Sequence, residues 1–131
     1  MTRDEIKELV KAGNDLSDID FTGMDVRYFN LKGTKAKIDP QKVMNKDLSY
    51  ANLTGLDLSK ADFTDVNLYF TDLKDTNANI NPQLIKGKDL SFVDMSGLDL
   101  SKADFTGVNI TKCYKNDTGA NIEGAIGTPF I

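Results

Sequence analysis

Apolar residues recur at every fifth position of this chain. They stand at Leu48, Leu53, Leu58, Phe63, Leu68, Leu73 and Ala78, and again at Leu90, Met95, Leu100, Phe105 and Ile110. Each is usually preceded by Asp or Asn and followed by Ser or Thr. The position two before it is small or apolar, as at Ala51, Leu56, Ala61, Val66, Ala103 and Val108. A period of five matches neither the 3.6 of a helix nor the 2 of a strand. The density of Asp, Asn, Thr and Gly also excludes a sustained helix. A backbone that turns a corner every five residues, with two side chains pointing inward at each, satisfies the pattern. Four such sides close one coil of about 20 residues, at five per side.

A longer repeat overlies the short one. Gly55 to Thr64 returns letter for letter at Gly97 to Thr106, and Asp39-Pro40-Gln41 answers Asn81-Pro82-Gln83 at the same offset. The five-residue spacing breaks at 39–45 and 81–87, where the inward centres move further apart, from Ala36 to Leu48 and from Ala78 to Leu90. Seven residues there replace a five-residue side. Each long repeat is then two coils, one built of four pentads and one of three pentads and a heptad. Pro40 and Pro82 suit the first position of a single helical turn, with Val43, Met44, Leu84 and Ile85 expected to cover the core. Phe21, Phe63 and Phe105 fall on the same side as the heptads and alternate with them.

Ala51-Asn52-Leu53-Thr54-Gly55 and Ala61-Asp62-Phe63-Thr64-Asp65 resemble the A-(D/N)-L-x-x motif of the pentapeptide-repeat family. The resemblance runs over residues 14–126, with departures at 39–45 and 81–87. It implies an all-β fold, a right-handed quadrilateral β-helix of about 5.5 coils, and a bacterial origin. Before the repeats, Thr2-x-x-Glu5 forms a capping box, Ile6, Leu9 and Val10 make a one-sided apolar stripe, and Gly13 is a stop signal. The expected domains are therefore a short N-terminal α-helical cap at 1–13 with its helix at about 3–12, the β-helix at 14–126, and a C-terminal tail at 127–131. Lys115 occupies a slot that should face inward. Burying a lone ammonium is costly, so Cys113 or Tyr114 is expected to fill that space. The Phe130-Ile131 tail either folds over its own coil or makes an end-to-end contact, giving a monomer or a weak end-to-end homodimer.

Composition removes several chemistries. The chain has 131 residues, no His, no Trp and one Cys, with 16 Lys+Arg against 20 Asp+Glu. Ser-His-Asp and Cys-His catalysis, His-ligated metals and an internal disulfide are excluded. An inward-facing Cys113 reads as a buried small hydrophobe. A net charge of −4 disfavours direct nucleic-acid binding. An amphipathic opening in place of an apolar signal core points to a cytoplasmic protein without a membrane anchor. No catalytic, metal or cofactor residues are expected.

Two surface features remain. Tyr28, Tyr50, Phe70, Phe92 and Lys112 follow inward centres by two places and stack at one corner in successive coils, with Tyr69 alongside. These rings either stabilise the corner by stacking or form an exposed protein-contact stripe. Columns of Asp such as Asp20, Asp62 and Asp104 either hydrogen-bond to neighbouring turns and keep the outside wet, or serve DNA mimicry. Members of the resembled family that imitate DNA bind DNA gyrase. DNA as long as this rod, roughly 26 Å at ~4.8 Å per coil, carries about 15 charges, well above the net −4 found here. The reading is a non-enzymatic binding or scaffold protein with an unknown protein partner, the alternative being a DNA mimic acting on gyrase or topoisomerase.

Overall fold

A computed structural model describes residues 1–130. The chain opens with α1 (Arg3–Lys11), where Thr2 and Glu5 exchange the reciprocal hydrogen bonds of a capping box, both at 3.1 Å. Gly13, at φ 73°, takes the left-handed conformation that ends the helix. α1 lays Ile6, fully buried, and the half-buried Leu9 and Val10 on the core. Arg3 fastens it sideways. Its guanidinium donates to the Asp25 and Arg27 carbonyls, pairs with the Asp25 carboxylate at 3.5 Å and lies 4.3 Å from the centroid of Phe29.

From there the chain winds as a four-sided solenoid. Asn30, Asn52, Asp72, Asp94 and Tyr114 form one unbroken parallel column, in which longer and shorter sequence offsets alternate. A second side joins Asp47 to Asn67 and Asp89 to Asn109. Every one of these pairings is an isolated bridge, and no extended strand exists among the described residues. The physical reason is the length of a side: only about two residues run extended before the next corner, too few for consecutive bridges. The last coil is shorter than the rest, since Asn109 already pairs with Ile126.

All the five-spaced centres from Leu48 to Ile110 are buried. The remaining inward slots include threonines whose hydroxyls are satisfied inside the core. Thr34, Thr76 and Thr118 donate to the carbonyls of Leu31, Leu73 and Lys115 and accept from the N–H groups of Ala36, Ala78 and Ala120. Cys113 is fully buried, and Lys115 is half-buried beside it.

The heptads differ from the sequence expectation. Val43 and Ile85 are buried, but Met44 and Leu84 stand 46% and 49% exposed. Val43 and Ile85 have extended backbones, and neighbours along extended chain point to opposite faces, so adjacent residues cannot both cover the core. Pro82–Leu84 is one turn of 3-10 helix with Pro82 at its first position. Its counterpart at Asp39–Lys42 is a hydrogen-bonded turn. Two further 3-10 turns, Met44–Lys46 and Lys86–Lys88, return the chain to the five-residue register.

Replacing Thr76 with Val keeps the volume but leaves the Ala78 N–H without its partner and the Leu73 carbonyl with one of its two donors, the backbone N–H of residue 76. Urea denaturation should show a loss of about 1–3 kcal/mol. An unchanged midpoint would mean the hydroxyl is not what satisfies that slot.

Candidate functional site

The aromatic stripe forms on the corner next to the unbroken column. Tyr28, Tyr50, Phe70 and Phe92 stack in sequence, with ring centroids 4.7, 5.3 and 5.1 Å apart and planes within 17° of parallel. Tyr69 wedges alongside, edge-on to Tyr50 and Phe92 at 5.6 and 5.8 Å. Lys112 takes the fifth rung and ends the stack, its ammonium 5.8 Å from the Phe92 centroid. Beneath the rings the backbone is continuous. The amides of Tyr28, Tyr50, Phe70, Phe92 and Lys112 each donate to a carbonyl of the next coil. Tyr28, Tyr50 and Phe70 are exposed, Tyr28 most at 64%, while Phe92 and Tyr69 are half-buried.

The residue pattern does not reveal the backbone under these rings. Tyr28, Tyr50, Phe70 and Phe92 have φ between 59° and 67°. Other corners with a positive φ carry Gly, Asp or Asn, as at Gly55, Gly97, Asp65 and Asn77, or lysine, as at Lys35, Lys46 and Lys88; among the described residues aromatic rings take it only here. For a bulky side chain the left-handed region costs roughly 1–2 kcal/mol, against about 0.5–1.5 kcal/mol for each stacked pair. Three stacked pairs and the two edge-on pairs with Tyr69 together roughly offset four such backbones and leave no clear gain. Turn geometry alone gives no reason for rings at this corner.

The aspartates act locally. Asp20, Asp62 and Asp104 each accept, through Oδ1, the N–H of the residue two positions on, at 2.9 Å. Asp15, Asp57 and Asp99 do the same. This corrects the expectation of bonds to neighbouring turns: the short Asx side chain reaches its own corner before it reaches the next coil. These hydrogen bonds, from the backbone N–H and hydroxyl of Ser or Thr two residues on, hold all six carboxyls below their ordinary value. Asp25 lies lowest, at about 2, because the Arg27 side chain hydrogen-bonds to it.

Contacts between coils on the heptad side instead come from glutamine, which the sequence reading missed. The Gln41 side-chain amide donates to the carbonyls of Asp62 and Thr64, both at 2.9 Å. Gln83 does likewise to Asp104 and Thr106, at 3.0 and 2.8 Å. The matched pairs Pro40-Gln41 and Pro82-Gln83 are the signal that could have found it. Each amide closes one end of a shallow cleft between coils. The cleft lined by Lys35, Ile38, Leu56 and Lys60 measures about 870 Å³. Its repeat counterpart, lined by Asn79, Ile80 and Lys102, measures about 610 Å³.

At the far end Phe130 packs on Tyr114, with centroids 4.8 Å apart, and its N–H donates to the Cys113 carbonyl. The ring still stands 58% exposed. Ile131 lies outside the described residues. Among those residues no helix is long and apolar enough to cross a membrane.

Residues 47–77 and 86–114 match the family model for pentapeptide repeats, in eight copies. Over this stretch, which holds the middle of the solenoid and three of the four stacked rings, the chain belongs to the pentapeptide-repeat family. Repeats of this kind form β-helices in general. No curated protein and no solved structure matches the chain.

Two outcomes follow from these environments. A carboxyl whose folded pKa is depressed stabilises the fold above its unfolded value of 3.8 and loses that contribution as pH falls through the lower folded value. The melting temperature should therefore hold from pH 7 to about 5 and fall below about 4. Asn at Asp62 and Asp104 retains the local hydrogen bond, as Asn67 and Asn109 do, and should flatten that fall; a steeper one would contradict this account. Burial pushes the Cys113 thiol up to about 11, so a disulfide reagent should label it only in urea-unfolded protein. Rapid labelling of the native chain would place the thiol outside the core.

Proposed function

We propose that this chain is a non-enzymatic binding and scaffold protein whose contact surface is the aromatic ridge of Tyr28, Tyr50, Phe70 and Phe92, with Tyr69 beside it. The family supports the coarse reading, a repeat scaffold. The ridge supports the finer one, because exposed aromatic rings occupy positive-φ positions where Gly, Asp, Asn or Lys serves at other corners. Contiguous exposed apolar surface of this kind marks protein contacts.

The same proposal takes the solenoid at 14–126 as right-handed, after the family, with residues 1–13 as a cap on its first coil and a tail from 127. A capped end protects the open edge that a solenoid otherwise exposes. The proposal sets the protein in a bacterial cytoplasm, acting through a protein partner without binding nucleic acid or membrane. For the end-to-end contact, Phe130 is partly used by Tyr114, which favours a monomer over a weak dimer. DNA mimicry is the weaker reading, because the columns of Asp20, Asp62 and Asp104 and of Asp15, Asp57 and Asp99 are engaged with their own corners and the net charge is only −4.

Tyr50→Ser together with Phe70→Ser tests the reading. The double variant removes all three stacked pairs, so it should melt several degrees lower but keep its circular dichroism spectrum at room temperature, yet fail to retain a partner that the wild-type protein captures. If the variant unfolds instead, the rings serve the coil and the proposal fails.

A further inference from the structure

Taking the ridge as a contact surface, we propose that its occupant is a cationic segment of another protein, rich in Lys or Arg with apolar residues between. Carboxylates flank the ridge on both sides. Asp47 and Asp89 stand on one adjoining side of the coil, and Asp72 and Asp94 on the other. Each spends Oδ1 on the N–H two residues on. None of the four has an ion-pair partner among the described residues, where the paired acids are Asp25 and Glu8. Asp72 and Asp94 are bridge neighbours of like charge, so an incoming cation relieves a repulsion as well as gaining an attraction.

The nearby cations do not neutralise this surface. Arg27 is bound to Asp25 at 2.8 Å and reaches Asp47 only through a weaker charge interaction, and Lys112 sits at the end of the stack on Phe92. Lys74 is exposed two residues beyond Asp72, at the far end of that side. Lys46 and Lys88 directly precede Asp47 and Asp89 but make no ion pair with them, and act on Asp62 and Asp104.

The rings define the rest of the occupant. Stacked rings turn their edges outward, and an edge is the positive end of the aromatic quadrupole. A cation therefore settles on the flanking carboxylates, while the aliphatic stem of Lys or Arg, or an apolar neighbour, lies along the ring edges. Faces open only at the ends of such stacks. There the protein itself places a cation on a ring, Lys112 over Phe92. An anionic segment would meet the four free carboxylates, and a purely apolar one would bury them unpaired.

Ring spacings of 4.7, 5.3 and 5.1 Å make the ridge about as long as five extended residues at ~3.3 Å each. The probe is thus a hexapeptide alternating Lys and Phe, with its Glu-Phe counterpart as control. Tyrosine emission reports binding, since three of the four tyrosines belong to the ridge and the peptides contain none. The Lys-Phe peptide should give a saturable change that weakens on raising salt. It should weaken by about tenfold when Asp47, Asp72, Asp89 and Asp94 are all replaced by Asn, which preserves the local turn. The Glu-Phe peptide should give no change. Equal binding of both peptides, abolished by Tyr50→Ser with Phe70→Ser, would overturn the cationic occupant and leave the ridge as a contact surface. Binding of the Lys-Phe peptide that survives that double variant, or binding of neither peptide, would also overturn the inference, while the capture experiment still judges the ridge independently.

Discussion

Everything in this molecule depends on the backbone turning a corner after every few residues. Two local devices do this. An Asp or Asn ahead of most buried centres accepts the N–H two residues later, and at many corners a residue with positive φ completes the turn. Both act within one corner, so each side is set before any coil meets the next. Bridges between coils then join short sides that are already in register. The resulting core is a column of buried leucines, valines and phenylalanines, with threonine allowed inside because its hydroxyl donates to a backbone carbonyl.

Much of this was legible in the residues. The five-residue spacing named every buried centre from Leu48 to Ile110, and the longer repeat located both interruptions. Thr2-x-x-Glu5 marked the start of α1. The heptads resisted because their hydrogen bonding is not periodic: Met44 and Leu84 look like core residues by composition, and only the extended backbone of their neighbours Val43 and Ile85 turns them outward. The Asx turns were read at the wrong range because spacing shows which residue types recur but not which amide each one faces. The glutamine clamps lay in plain view as matched Pro-Gln pairs, yet their targets lie a whole coil away.

The candidate surface divides in the same way. Column arithmetic placed four rings and a lysine at one corner, and the structure stacks them in that order. Nothing in the spacing indicated the left-handed backbone beneath them, since a tyrosine is an unusual choice there. Lysine shares that backbone at other corners, but a column of aromatic rings on it is found at this corner alone among the described residues. It is also the corner beside the one uninterrupted column, so the rings stand on the most regular part of an otherwise interrupted scaffold.

The alternation of shorter and longer coils has a consequence for how such a molecule changes size. Two coils make one self-contained cassette, with its own glutamine clamp and its own pair of corner rungs. Duplicating a cassette restores the same neighbours at both joints and lengthens the rod by about 10 Å. Gain or loss of a single pentad would instead rotate everything downstream by a quarter turn and misalign the corner. Growth by whole cassettes is therefore the route open to this architecture, and reach along its axis becomes a quantity that gene duplication can adjust in steps.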